Sequence, residues 1–119
     1  MMRNGIMYKQ GEILLISLPF SDLTSSKKRP VLVISNDENN RTSEDIVVAA
    51  ITSNICKRKY SVMISSSNLT EGTLKRDSCL RADKIFSLSQ NIVIRKFGKV
   101  EQNVINQVIN CITDLITNK

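Results

Sequence analysis

The chain is expected to fold as a mainly β domain with a C-terminal helix, built on a small, strongly bent antiparallel sheet or partial barrel. Two observations predict this. Short apolar runs separated by polar loops fill the first part of the chain, and from Val100 onward the apolar period changes from strand-like to helix-like. The size fits a single modest core: 119 residues, 41% hydrophobic and 24% charged. No internal repeat, linker or low-complexity tract interrupts the chain, so residues 1–119 are read as one domain.

Gly11 to Leu18 reads as the first strand, stopped by Pro19. A polar loop from Ser21 to Arg29 leads into a second strand, Val31 to Ser35. Asn36 to Asp45, rich in acids and amides, reads as a turn. Ile46 to Thr52 is continuously apolar, the pattern of a central strand buried on both faces. Tyr60 to Ile64 alternates like a half-exposed strand; Ser78 to Phe86 and Ile92 to Ile94 are further strand candidates. Val100, Val104, Ile105, Val108, Ile109, Ile112, Leu115 and Ile116 form one stripe of an amphipathic helix, which is expected to pack over the sheet.

Composition narrows the chemistry. Seventeen basic and eleven acidic residues leave a net charge of +6, which favours a polyanionic partner, either nucleic acid or an acidic protein. There is no histidine, which excludes Ser-His and Cys-His nucleophilic catalysis and leaves too few ligands for an ordinary zinc site; no metal or cofactor is expected. Cys56, Cys79 and Cys111 are odd in number, far apart and without C-x-x-C spacing, so they are not read as a disulfide framework. No apolar run approaches the length of a membrane span and no signal-type segment follows the N-terminus, so a cytoplasmic location is expected.

The run Lys27-Lys28-Arg29-Pro30-Val31-Leu32-Val33-Ile34-Ser35 joins three cations to a proline and an apolar strand. Proline fixes φ and biases the preceding residue to extended backbone, so Arg29 is expected at the mouth of a strand that Pro30 opens. A guanidinium held there is placed to grip a phosphate; the alternative is a solvated charge run capping a buried strand.

These residues carry a resemblance. Gly11-Glu12-Ile13, Lys28-Arg29-Pro30-Val31-Leu32-Val33, Asn40-Arg41 followed by Ile46 to Thr52, and Arg76-Asp77-Ser78 followed by Arg81-Ala82-Asp83 resemble, in order and spacing, the MazF/PemK family of toxin ribonucleases from type II toxin–antitoxin modules. The resemblance implies an SH3-like partial barrel, a homodimer, and metal-independent, sequence-selective cleavage of single-stranded RNA (mRNA). In that chemistry the ribose 2′-OH attacks the adjacent phosphate and leaves a 2′,3′-cyclic phosphate and a 5′-OH. It also implies a cognate antitoxin whose acidic, disordered segment covers the positive face.

Such a reaction needs a proton acceptor, charge stabilisation at phosphorus and protonation of the leaving oxygen. Arg29 suits stabilisation, since guanidinium is not deprotonated in proteins. Thr52 can donate its hydroxyl to a non-bridging oxygen, or serve only strand propensity. Arg81 and Asp83 share a strand face; Asp83 is the candidate base if its pKa is raised, and the alternative is a structural ion pair. One branch of the family adds a first-loop histidine, where this chain has Leu23 or Thr24. Lys27, Lys28, Lys57 and Arg58 are candidate phosphate contacts, and Ser53, Asp77 and Ser78 candidate groups for orienting or reading the RNA. With two Tyr, three Phe and no Trp, recognition is expected through base edges with at most one stacking ring. Two other functions on the same fold are a gyrase-type protein poison and an RNA-binding relic without catalysis.

Overall fold

The computed structural model describes residues 7–19, 26–54 and 56–118. Seven strands form one sheet: β1 (Glu12–Pro19), β2 (Ser26–Val33), β3 (Asp45–Thr52), β4 (Ser61–Ile64), β5 (Leu69–Glu71), β6 (Ser78–Ser89) and β7 (Val93–Val100). Two α-helices, α1 (Asp37–Thr42) and α2 (Gln102–Ile116), complete the described elements with two short 3-10 turns. The strand order is β4-β6-β3-β2-β1-β7-β5, every neighbouring pair antiparallel. The chain is thus mainly β with a C-terminal helix.

The curled sheet buries both faces, which explains why its central strands are continuously apolar instead of alternating. Ile13, Leu32, Ala49, Leu80 and Ala82 point into a first core that α2 covers with Val104, Ile105 and Val108. Their neighbours Leu14, Ile16, Val31, Val33, Ile46 and Val48 point the other way into a second core, edged by Tyr8, Phe86 and Val93. Burial of side chains on this scale stabilises by roughly 1.5–3 kcal/mol for each large residue before entropy is charged.

Three expectations change, and one strand was not expected. Pro30 does not open a strand: β2 begins at Ser26, so residues 26–29 are strand, not loop. Asn36 to Asp45 is not a plain turn. Asn36 caps α1 by accepting from the Asn39 backbone N–H at 2.8 Å, and Asp37 and Glu38 lie in the first turn, where the helix dipole favours them. The stripe on α2 is only partly covered. Val108, Cys111 and Ile112 reach the first core, but Ile109 on the flank of the stripe and Leu115 and Ile116 at the helix end are exposed, while Val100 belongs to β7. Finally, β5 has no apolar signature of its own. It depends on Gly72, whose φ of +82° suits glycine and where a Cβ would lie 2.3 Å from the Phe97 carbonyl oxygen.

Two polar clusters pin the edges. Lys96 Nζ bridges Glu12 at 3.1 Å and Glu71 at 2.9 Å, tying β7 to β1 and β5, and the bond to Glu71 raises the lysine pKa and lowers that of the carboxylate. The second cluster centres on Asn40, which is fully buried. Its Oδ1 accepts from Ser35 Oγ at 2.6 Å and its Nδ2 donates to the Ser35 carbonyl at 3.0 Å. Gln90 donates to the carbonyls of Asn40 and Ser43 and accepts from the Tyr8 N–H. The Asn40 side chain therefore fastens α1 to Ser35 after β2, while Gln90 ties the α1 backbone to the turn before β7. Asn40→Ala should lower unfolding free energy by about 1–3 kcal/mol by removing its hydrogen bonds to Ser35 and emptying a fully buried site. Urea denaturation measures this, and a loss below about 0.5 kcal/mol would contradict the assignment.

Candidate active-site cleft

The cleft forms where two paired strands part company. β2 and β3 are registered only from Val31 to Val33, opposite Ala50 to Val48. Ile34 N–H donates to Val47 O, so by strand alternation the nitrogens of Leu32 and Pro30 also face β3. The next ladder bond would need an N–H on Pro30, which has none. The pairing stops there, and β2 continues along β1 while β3 continues along β6. Extending the lapsed register by two places sets Arg29 against Thr52 across the gap.

A cleft of about 710 Å³ occupies this opening. It lies on the sheet face of the second core, and Arg29, Thr52, Lys57, Arg58, Arg81 and Lys84 line it with Asn54, Cys79 and Phe86. Five cations and no carboxylate are among the lining residues, so the net charge of the chain has a focus. Thr52 Oγ1 accepts the Asn54 N–H at 3.2 Å, which turns the hydroxyl proton away from its own loop.

The far wall is a bulge in β6. Ala49 faces Ile85 while Ala50 faces Arg81, so three residues, 82–84, are extra on β6. Bulges re-aim side chains, and this one carries the Arg81–Asp83 pair. Arg81 Nε and Nη2 donate to the two carboxylate oxygens at 3.0 and 2.9 Å. These bonds hold the Asp83 carboxyl below its ordinary pKa, with Arg58 adding a smaller pull in the same direction. The condition for Asp83 to act as a base was a raised pKa, and the shift is the opposite. The geometry instead makes Asp83 the holder of the Arg81 guanidinium.

The remaining candidates divide. Lys57 and Arg58 line the cleft, whereas Lys28 and Ser53 are exposed outside its lining. Asp77 is exposed elsewhere, and Ser78 is buried on β6 with its hydroxyl donating to the Arg76 carbonyl. The side chain of Lys27, and Leu23 and Thr24, lie outside the described residues. Asn54, Lys84 and Phe86 escaped sequence reasoning; their place depends on the bulge and on a loop, neither of which leaves a periodic signal.

The cysteine reading is overturned. Cys56 and Cys79 form a disulfide with a Cα–Cα distance of 5.2 Å, and Cys111 is the free thiol. Residue spacing could not show it, because the loop after β3 folds back beside the start of β6, where Thr52 already faces Cys79. The bond fastens the segment bearing Lys57 and Arg58 to the cleft wall.

A half-barrel with a cationic cleft at a strand divergence is the class of site defined here. The family of PemK-like, MazF-like toxins of type II toxin–antitoxin systems matches residues 9–116, and the chain belongs to that family. Endoribonuclease MazF of Staphylococcus saprophyticus is 29% identical over 107 residues, covering 89% of this chain and 88% of that protein. Endoribonuclease EndoA of Bacillus subtilis is 29% identical over 104 residues, covering 87% and 89% respectively. The MazE–MazF complex of Deinococcus radiodurans superposes with a TM-score of 0.78 at 16% identity, covering 93% of this chain and 96% of that one. An endoribonuclease in complex with its cognate antitoxin, from a mycobacterial species, gives 0.76 at 18% identity over 94% and 99%. These two likenesses establish the same fold.

Two measurements follow. Thiol titration of the unfolded, unreduced protein should find one reactive group per chain, and three after reduction; three before reduction would refute the bond. Asp83, with its depressed pKa, contributes stability above the unfolded value of about 3.9 and loses it as pH falls through the folded value. Carboxyl NMR should place the Asp83 midpoint below that of an unpaired aspartate and move it upward in Arg81→Ala.

Proposed function

We propose that this toxin is a metal-independent endoribonuclease cleaving single-stranded RNA at the cleft between β2 and β3, with residues 1–119 acting as one catalytic domain. The observation that carries the reading is the opposition of Arg29 and Thr52 across a gap walled by cations, in a chain whose curated relatives are endoribonucleases. The 2′-oxygen attacks phosphorus, the bond to the 5′-oxygen breaks, and the products are a 2′,3′-cyclic phosphate and a 5′-OH. Arg29 and Arg81 donate to the equatorial oxygens of the phosphorane, where guanidinium geometry suits two oxygens at once. Thr52 donates its hydroxyl proton to a non-bridging oxygen. Asp83 orients Arg81. Lys57 and Arg58, with Lys27 and Lys28 of β2, contact flanking phosphates; Ser53 and Asp77 help orient the RNA, and Ser78 holds the start of β6 through its bond to the Arg76 carbonyl.

The chain has no histidine, the side chain that ordinarily shuttles protons near neutral pH. The 2′-OH proton therefore passes to solvent hydroxide or water, and solvent protonates the leaving oxygen. The protein is further read as a cytoplasmic homodimer neutralised by an antitoxin with an acidic disordered segment. The mycobacterial and Deinococcus relatives crystallised with antitoxins support that partner class.

Purified protein with excess chelator should cut single-stranded RNA to cyclic-phosphate ends. Arg29→Ala should lower kcat by about 10²–10³-fold, the range for loss of one transition-state donor, and Thr52→Val should lower it less. Intact RNA across varied sequences would sink the reading. The rate should climb with pH from 6 to 8 without an inflection near 6.5; a bell-shaped profile would show that a titrating group has been overlooked. Antitoxin affinity should fall steeply with added salt, and a salt-independent Kd would exclude charge-driven capture.

A further inference from the structure

We propose that Phe86 is a stacking platform for one base of the single-stranded RNA, with Lys84 beside it holding the adjoining phosphate. The inference rests on the endoribonuclease reading and adds the subsite that seats a nucleotide next to Arg29.

The bulge in β6 is what exposes the ring. In an unbroken strand, even-numbered residues would keep to one face. Here Leu80 and Ala82 sit in the first core, while Phe86 and Leu88 sit against the second. The three extra residues between Arg81 and Ile85 account for the change of face. As a result Arg81, from an odd position, and Lys84 and Phe86, from even positions, line the same cleft. Phe86 is half-buried: it packs on the second core and also lines the cleft.

An apolar ring with cations around it, in a cleft of about 710 Å³, matches what single-stranded nucleic acid requires. The base lies on the ring and the backbone tracks the positive side chains. Lys84 is exposed two residues along the strand from Phe86, and Arg29 stands on β2 across the cleft. Stacking accepts any base, so this subsite supplies binding and leaves sequence choice to polar groups elsewhere. Arg81, held by Asp83, is committed to the scissile phosphate, which leaves Lys84 as the cation nearest in sequence to accompany the ring.

The test uses the full chain and a labelled 2′-O-methyl oligonucleotide whose unmodified form the wild type cleaves. Fluorescence anisotropy gives Kd, since the attacking hydroxyl is blocked. Phe86→Leu should weaken binding about ten-fold, and Phe86→Tyr should bind like wild type. A single abasic site walked along the oligonucleotide should cost wild type a similar factor at one position, where the penalty of Phe86→Leu vanishes. Phe86→Leu binding as tightly as wild type, or a flat abasic scan with the wild type alone, overturns the stacking role while cleavage stands. Failure of the wild type to cleave any unmodified RNA removes the endoribonuclease reading, and the subsite with it.

Discussion

The missing N–H of Pro30 is the constraint on which the site depends. Antiparallel strands zip together wherever both partners can donate, and β2 and β3 do so until the next donor is absent. Had the ladder continued, Arg29 and Thr52 would have been neighbours within a closed sheet, with their side chains held at ordinary cross-strand spacing. The strands diverge instead, each retaining its outer partner, and the inner faces become the walls of a cleft. Rigidity and access thus come from one residue. The arginine is fixed on a strand hydrogen-bonded to β1, yet the side of that strand facing β3 is open.

The second wall obeys a similar logic. The extra residues in β6 interrupt its match to β3, and an interrupted ladder lets side chains of both parities face one space. Regular sheet could bring Arg81 to the cleft or Phe86, but not both. The ion pair with Asp83 then restrains a guanidinium that would otherwise sample many rotamers. Its charge is shared with the carboxylate.

Much of this was readable from residue order. The apolar runs located β1, β3, β4 and β6 because continuous or alternating hydrophobicity reports burial directly, and α2 announced itself through its period. The pattern from Lys28 to Ser35 marks a strand entrance at Pro30, since proline usually marks an end, yet the strand begins at Ser26. The neighbouring Ser26 to Arg29 are polar, and they are strand only because β1 offers a long partner. β5 and α1 were missed for want of apolar signal: one leans on Gly72, the other on a capped turn and a buried amide at Asn40. At the site, Arg29, Thr52, Arg81, Lys57 and Arg58 could be named from the chain. Lys84 and Phe86 could not, since a bulge changes facing without changing composition. The direction of the Asp83 shift and the Cys56–Cys79 bond are products of tertiary proximity, and no spacing rule reaches them.

The disulfide closes a covalent ring whose two ends are 23 residues apart in sequence and which contains all of β4 and β5. A backbone cut anywhere inside that ring leaves the two pieces joined, because the path through sulfur bypasses the break. The segment from Lys57 to Asp77 is therefore the part of the chain where new ends can be opened, or foreign sequence inserted, without separating the two walls of the cleft. Its strands β4 and β5 lie at opposite edges of the sheet, while the bond keeps the end of β3 beside the start of β6.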